Sequence, residues 1–295
     1  MKPSDIRDML LLAALWGASF LLMRIATPAF GPALLVELRV LLAALFLLPF
    51  VLRLSLLKQA QRKAIPLLVV GTFNSALPFV LFSWALLVLS TGFTAIINAT
   101  APLFGALIGA ALYQQALTRA KILGMLTGLL GVTCLISSKG DLNLTSTILT
   151  LTAALGAAAC YGFAANYSSQ QLKETPALVQ AFGSQLAAAI ILLIPALLWL
   201  PAEQPSMTDW LAVITLGIAC TGIAYLLYFR LITNIGATSA ISVTFLIPAF
   251  AMTWGWLFID EPVSLMMIGS CLIILTGTAL TTGLIKRKKS QPCNT

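Results

Sequence analysis

Two long stretches of this chain match each other at a constant spacing of 146 residues. In both, an apolar run contains a proline and ends in a polar pair. The matched pairs are Gly71 with Gly217, Ser90 with Gly236, Asn98 with Thr244, Pro102 with Pro248, Gln115 with Glu261 and Gly131 with Gly277. Near the start of each copy the spacing is 145, since Trp16-Gly17 corresponds to Tyr161-Gly162. A constant spacing over most of the chain indicates a duplicated unit.

The composition is that of an integral membrane protein. Hydrophobic residues make up 60% of the chain and charged residues only 9%, with a mean hydropathy of +1.00. Soluble domains carry about 25% charged residues. Residues 64–118 contain no charge at all, which is enough for two helices of about 20 residues and a tight hairpin.

Charge-free intervals of this length favour helices over the shorter strands of a membrane barrel. They predict an all-α membrane protein with ten transmembrane helices. The predicted spans are 8–27, 33–52, 65–87, 92–113, 119–138, 147–169, 177–199, 209–230, 237–258 and 263–285. The first apolar run leads directly into a second one, so we interpret it as an uncleaved span and not as a signal peptide.

Lys and Arg are distributed unevenly over alternate loops. Fourteen of them fall on one side of the predicted membrane, among them the run Lys286–Lys289, and Lys139 alone falls on the other. Arg24 and Arg39 lie within predicted spans. Because cytoplasmic loops carry the excess of basic residues, both termini are predicted to be cytoplasmic. The net charge of +8 is therefore interpreted as a topology signal and not as a nucleic-acid-binding surface.

Each copy of the unit holds five predicted spans, and an odd number forces the second copy to enter the membrane from the opposite side. The sequence thus predicts two inverted five-helix repeats, 1–140 and 141–295. Inverted repeats of this kind are typical of secondary transporters, with the substrate site at the repeat interface near the membrane midplane. The alternative is that the duplication simply makes a stable bundle, as in a channel or a scaffold.

Several short motifs resemble a known family. They are Trp16-Gly-Ala-Ser-Phe20, Pro32 with Leu38-Arg39, Asn98-Ala-Thr-Ala-Pro102 and Asp260-Glu-Pro262. Together with the spacing of 146 they resemble the EamA-type transporters of the drug/metabolite transporter superfamily over essentially the whole chain. The resemblance implies ten helices in two inverted repeats and export of small metabolites, often amino acids or their derivatives, across a bacterial inner membrane.

The chain departs from that family in two places. Family members usually carry a Glu at the end of the fourth span, where this chain has Gln114-Gln115, so only the second copy keeps the acidic pair. Glu37 is an acid at a position that the resemblance does not account for. We expect the two copies to differ in their polar chemistry.

Arg39 is the most informative polar position, because charged side chains inside a bilayer are costly and normally face protein or a water-filled cavity. Its guanidinium has the geometry to bind the carboxylate of an exported acid or amino acid. The alternative is a structural role, in which Arg39 ties span ends together or pairs with Glu37. Glu37 is also a candidate for coupling transport to protons.

Prolines and polar residues occur together within spans. Asn98 and Thr244 each precede a proline, Pro102 or Pro248, by four residues, and a proline leaves the carbonyl four residues before it without a donor. Asn74 and Pro78 repeat the pattern in span three. These sites predict helix kinks with a polar residue at each kink. Packing that satisfies the kink and direct substrate contact both fit this pattern.

Aromatic residues complete the predicted central cavity. Phe79 and Tyr225 lie at mid-span, as do Trp16 and Tyr161, and a ring at such a position packs on a substrate while a phenol hydrogen-bonds it. Packing between helices is the alternative for each of them. The predicted cavity set is Trp16, Arg39, Asn74, Phe79, Asn98, Tyr161, Tyr225 and Thr244.

The remaining expectations concern energy source and partners. The chain has no histidine, no phosphate-binding GxxxxGK[S/T] motif and no cysteine spacing that suggests a metal site. We expect no cofactor, no metal and no enzymatic activity; an intramembrane enzyme is the alternative of another class, and a proton-coupled multidrug exporter is the rival transporter. The expected partners are a small-molecule substrate and the lipid bilayer, with the chain a monomer or a homodimer.

Overall fold

The computed structural model is helical throughout the residues it describes, which are 2–137, 144–201, 203–236 and 240–284. The helices, in the numbering used below, are α1 Pro3–Arg53, α2 Leu57–Arg62, α3 Ala64–Ala85, α4 Thr91–Tyr113, α5 Arg119–Ser137, α6 Leu144–Gln171, α7 Ala177–Leu198, α8 Met207–Ile235, α9 Ile247–Ile259 and α10 Leu265–Thr282. A short 3₁₀ segment, Ile241–Phe245, precedes α9.

Eight of the helices formed by the described residues are long and apolar enough to cross a membrane, and α9 is a shorter apolar helix. The predicted boundary at 140–141, the start of the predicted ninth span and the basic run Lys286–Lys289 lie outside the described residues. The remaining predicted spans each overlap one of these helices, with spans one and two both inside α1.

α1 contains a break that separates these two predicted spans. At 51 residues it would be about 76 Å long if straight, far more than a bilayer requires. Gly31 interrupts it with φ 71° and ψ 160°, a conformation that is essentially restricted to glycine. Residues 3–30 and 32–53 are therefore two helical segments that meet at Gly31.

Two predicted spans differ from a continuous helix. α4 is interrupted by a turn at residues 99–100, and the predicted span 237–258 contains a 3₁₀ segment before α9. In both, the α-helix resumes with a proline in its first turn, Pro102 or Pro248. The ring nitrogen has no hydrogen to donate to the carbonyl four residues earlier, so the helix ends there and begins again.

The core is centred on α1, which packs against α3, α7, α8 and α9, while α5 and α10 pack along each other. Close approach in that second pair depends on glycines. A methyl group at Gly124 would lie 2.5 Å from the Gly277 carbonyl oxygen, and one at Gly277 would lie 2.6 Å from that of Gly124. Such small residues let helices pack closely where lipid supplies no hydrophobic driving force.

Candidate substrate site

Arg39 lies at the interface of α1, α3 and α8 and is 4% exposed. Its Nε donates a hydrogen bond to Thr221 Oγ1 at 3.0 Å, and its Nη1 lies 3.4 Å from Met23 Sδ. The guanidinium carbon lies 3.6 Å from the centre of the Phe79 ring, in cation–π geometry. Among the described residues no carboxylate forms an ion pair with Arg39. The site therefore holds a buried cation without an anion.

The Thr221 hydroxyl is oriented by its own helix. Thr221 Oγ1 donates to the Leu216 carbonyl oxygen at 2.8 Å, so its proton is committed and a lone pair remains for Arg39. Leu216 lies five residues back, because Thr221 is part of a π-helical turn, Ile218–Ile223. π-turns are rare in helices and occur frequently at functional sites.

A second polar group surrounds Gln185 of α7, which is completely buried. Gln185 Nε2 donates to Ser75 Oγ at 2.9 Å and to the Tyr225 hydroxyl at 3.4 Å. The same hydroxyl accepts from Asn74 Nδ2 at 3.3 Å. Asn74 and Ser75 belong to the other π-helical turn, Thr72–Ala76, which Pro78 follows at the start of the next helical turn.

The two groups adjoin each other on two helices. Ser75 and Phe79 are four residues apart on α3, and Thr221 and Tyr225 are four residues apart on α8. Residues at this spacing lie on one face of a helix, about one turn or 5.4 Å apart along its axis. The Arg39 group and the Gln185 group therefore form two consecutive layers between α3 and α8.

Aromatic rings extend this arrangement. The Tyr161 ring lies 6.5 Å from that of Phe79 and 6.0 Å from that of Phe82, measured between centres. The Trp16 ring lies 5.3 Å from that of Tyr228. Five members of the predicted cavity set, Arg39, Asn74, Phe79, Tyr161 and Tyr225, thus lie in one connected cluster, and Trp16 lies in a neighbouring aromatic pair.

Asn98 and Thr244 belong to segments other than those that carry the Arg39 and Gln185 groups. Asn98 is half-buried at the end of the first helical part of α4, and Thr244 is half-buried in the 3₁₀ segment. No hydrogen bond among the described residues joins Asn98 to the Arg39 or the Gln185 group. Their assignment as substrate contacts stays a prediction.

Glu37 is 5% exposed, and its Oε2 has no hydrogen-bond partner among the described residues. It is two residues from Arg39, so the two side chains leave the helix in different directions. The ion pair between Glu37 and Arg39 that the sequence left open is absent from the described part of the chain. Arg39 joins α1 to α8 through Thr221, which lies in the middle of α8 and not at a span end, and the structural role of Arg39 stays a prediction.

Sequence reasoning did not assign Gln185, Ser75 or Thr221 to the site. The repeat spacing leaves either Ser184 or Gln185 as the counterpart of Arg39, since it is 145 near the start of each copy and 146 later, whereas a spacing of 146 carries Ser75 onto Thr221 and Phe79 onto Tyr225. The side-chain contacts of the two groups nevertheless correspond, because Arg39 meets Thr221 and Phe79 whereas Gln185 meets Ser75 and Tyr225. Each group combines a polar side chain and a ring from one copy with a hydroxyl from the other.

The duplication also repeats the turns at residues 114–115 and 260–261. Gln114 and Asp260 both adopt the left-handed conformation, with φ of 53° and 52°. The next residue in each copy donates its backbone N–H to a glycine carbonyl, Gln115 to Gly109 and Glu261 to Gly255. The side chains then diverge, because Gln115 Nε2 donates to Asn166 whereas Glu261 forms an ion pair with Arg24.

The helical architecture and the polar groups buried between its helices are those of a membrane transporter, and comparison with known proteins gives the family. The model of the EamA-like transporter family matches residues 9–137 and again residues 148–283. The chain belongs to the EamA-like transporter family, as its motifs suggested.

Two similar proteins come from Bacillus subtilis (strain 168). The uncharacterized transporter YoaV is 23% identical over 281 residues, covering 93% of this chain and 95% of its own length. The uncharacterized transporter YdfC is 24% identical over 292 residues, covering 95% of this chain and 92% of its own. A solved crystal structure with 22% identity superposes with a TM-score of 0.67 over 98% of this chain and all of that one, which establishes the fold alone.

Proposed function

We propose that this protein is a secondary transporter that exports small metabolites, such as amino acids or their derivatives, across a bacterial inner membrane by alternating access. In this proposal ten helices form two inverted five-helix repeats, 1–140 and 141–295, with both termini in the cytoplasm. The chain acts as a transporter and not as an enzyme. The substrate lies between the repeats, beside Arg39.

Repeated local structure supports the two-repeat arrangement. The π-turn Thr72–Ala76 corresponds to Ile218–Ile223, and the helix Ala101–Tyr113 corresponds to Ile247–Ile259 at a spacing of 146. Close contacts repeat as well. A methyl group at Gly17 would meet Phe250 and Ala251, and one at Gly162 would meet their counterparts Phe104 and Gly105.

Contacts between charged residues support the proposed topology. Arg230 Nε lies 3.3 Å from Asp8 Oδ2, and both residues belong to the side proposed to be cytoplasmic. Arg24 Nε lies 3.8 Å from Glu261 Oε1, and both belong to the opposite side. Each ion pair thus joins residues that the proposal places at the same membrane surface.

The observation that carries the proposal is the buried, unpaired guanidinium of Arg39. A buried charge that lacks its partner costs about 3–5 kcal/mol, and the Phe79 ring returns only about 2 kcal/mol of this. A substrate carboxylate would supply the missing anion through charge-assisted hydrogen bonds. Asn74, Tyr161 and Tyr225 belong to the cluster around Arg39 and are proposed to take part in the same site, and Trp16, Asn98 and Thr244 are proposed as further lining residues.

Glu37 favours a second candidate, proton-coupled export of organic cations. Its buried carboxyl group has an oxygen without a partner, and an acid inside a span is a common proton carrier in transporters. In this case the substrate would be a cation, and transport would follow the pH gradient and stop in Glu37→Gln.

Counterflow in liposomes tests the proposal. Liposomes that contain the purified protein are loaded with one unlabelled solute at a time, from a panel of amino acids, nucleosides, sugars and organic cations. Uptake of the matching labelled solute is then measured with and without a pH gradient. We expect saturable counterflow of an amino acid, lost in Arg39→Gln and unaffected by Glu37→Gln. Cation movement that follows the pH gradient and requires Glu37 would replace the proposal by its rival.

A further inference from the structure

The Gln185 group has an unused hydrogen-bond acceptor. Both protons of the Gln185 amide are directed to Ser75 Oγ and to the Tyr225 hydroxyl. Gln185 Oε1 is buried and has no partner among the described residues. Leaving a buried acceptor unpaired costs about 1–3 kcal/mol, so such atoms normally have a role that explains them.

The Arg39 group lacks the complementary kind of partner. Its cation lacks an anion, whereas the Gln185 oxygen lacks a donor. The two groups lie in adjacent layers about one helical turn apart, since Thr221 and Tyr225 follow each other on α8. Between α3 and α8 the protein therefore presents a positive pole and an acceptor pole in consecutive layers.

We infer that Gln185 Oε1 accepts a hydrogen bond from the ammonium group of an α-amino acid whose carboxylate is bound by Arg39. This assignment rests on the proposed function and names the residue that selects the substrate. An α-amino acid carries an anionic acceptor and a cationic donor on the same carbon, which matches the two poles in sign. A plain carboxylic acid would satisfy Arg39 and leave Gln185 Oε1 unpaired.

The duplication explains how this polarity arises. The spacing of 146 relates the hydroxyl partners Ser75 and Thr221 and the ring partners Phe79 and Tyr225, and the side chains of Arg39 and Gln185 occupy matching places beside them. A pair of identical poles would suit a symmetric ligand, such as a dicarboxylate for two arginines. An arginine opposite an amide distinguishes the two ends of a zwitterion.

Ligand-induced stabilisation of the purified full-length protein tests the inference. The probes are the 20 common L-amino acids, followed by the desamino acid and the decarboxylated amine that correspond to the best of them. A ligand that binds the folded state raises the melting temperature, and at a fixed ligand concentration the increase grows with the logarithm of the affinity. We expect the wild-type protein to bind the amino acid at least about tenfold more tightly than the desamino acid, as for one hydrogen bond to a charged group.

Gln185→Met removes the amide and keeps a side chain of similar length. We expect it to lower the affinity for the amino acid about tenfold or more and to leave that for the desamino acid unchanged, so that the preference disappears. Gln185→Glu retains an acceptor and should keep the preference. The matched control is Gln180→Met on the same helix, whose amide bonds the Leu172 and Thr175 carbonyl oxygens, and it should keep the preference as well.

Several outcomes would overturn the inference. An unchanged preference in Gln185→Met would show that another group binds the ammonium. If the wild type bound the amino acid and the desamino acid equally well, Gln185 would not bind the ammonium group, although Arg39 could still bind the carboxylate. If no carboxylate of either kind binds, the proposed function fails together with the inference. If Gln185→Met does not fold, loss of the preference in Gln185→Glu decides against the assignment.

Discussion

The helices within 64–113 and those within 207–259 repeat the same local backbone features, and the two copies to which they belong differ in polar chemistry. Each contains a π-turn, and the helices Ala101–Tyr113 and Ile247–Ile259 end in the same left-handed turn. Yet one copy supplies Arg39 where the other supplies Gln185, and one ends in Gln115 where the other ends in Glu261. The two copies thus repeat local backbone features while carrying different polar side chains.

The largest effect should come from moving the charge between the two copies. Arg39→Gln removes the cation, and we expect carboxylate counterflow to fall at least about 30-fold, as for the loss of a charge-assisted contact. The exchange variant, Arg39→Gln with Gln185→Arg, places the cation in the matching layer. Because the ring and hydroxyl partners are repeated there, we expect recovery to within about tenfold of the wild type.

Liposome counterflow measures both variants, and elution as a single monodisperse peak shows that each is folded. A folded exchange variant that is as inactive as Arg39→Gln would mean that the two layers are not interchangeable, and the comparison between them would lose its functional meaning.

Steric substitutions test whether the repeated packing is equally tight in both copies. A methyl group at Gly17 would lie 2.7 Å from Phe250 Cβ, and one at Gly162 would lie 2.6 Å from the Gly105 backbone nitrogen. We expect Gly17→Ala and Gly162→Ala each to destabilise the protein by about 1–3 kcal/mol through overpacking. Gly156→Ala is the matched control, since its nearest neighbour would be Leu81 Cδ1 at 3.8 Å.

Thermal unfolding in detergent follows the three glycine variants. Gly156→Ala should match or exceed the wild-type melting temperature, because Ala favours a helix over Gly by about 1 kcal/mol. A wild-type melting temperature in only one of Gly17→Ala and Gly162→Ala would show that the packing of the two copies has diverged.

Substitutions in the turns at residues 114–115 and 260–261 should have a smaller effect on stability. Glu261 Oε2 accepts from the Thr91 backbone N–H at 2.8 Å, where a carboxylate also interacts favourably with the start of α4, and Arg24 lies nearby. Glu261→Gln makes this turn resemble its counterpart. We expect it to lower the free energy of unfolding by only about 1 kcal/mol, because the Gln side chain keeps a neutral acceptor for the Thr91 N–H.

The reciprocal change, Gln115→Glu, should not be stabilising. It removes the donor to Asn166 Oδ1 and places a carboxylate beside that acceptor. Melting temperatures in detergent compare the two variants. A Gln115→Glu protein more stable than the wild type would show that the first copy has a cation available at this turn.

The smallest effect should come from the rings. Tyr225→Phe turns the second ring into its counterpart Phe79 and removes the hydroxyl that accepts from Asn74 and Gln185. We expect a loss of only about 0.5 kcal/mol in stability, measured by thermal unfolding, because both hydrogen bonds are long, at 3.3 and 3.4 Å. An equal loss in Tyr228→Phe, on the same helix, would show that the hydroxyl at position 225 has no special role.

Much of the helical framework followed from the sequence. Charge-free intervals placed the spans, since each unpaired charge in a bilayer is costly, and prolines marked the two places where helices restart. Arg39 was found because a lone cation stands out in an apolar segment. Gln185, Ser75 and Thr221 were not, because uncharged polar residues are common in membrane helices and their spacing alone does not indicate which of them meet.

The sequence by itself determined a duplicated, helical membrane protein with an arginine, Arg39, well inside a span. Hydropathy and repeat spacing depend only on the order of residues along the chain, so they can be read without the fold. The tertiary structure alone decided that Arg39 meets Thr221 rather than Glu37, and that Gln185 meets Ser75 and Tyr225. These contacts join residues more than 100 positions apart. They depend on the rotation of each helix about its axis, which a small shift in packing changes and which local sequence does not fix.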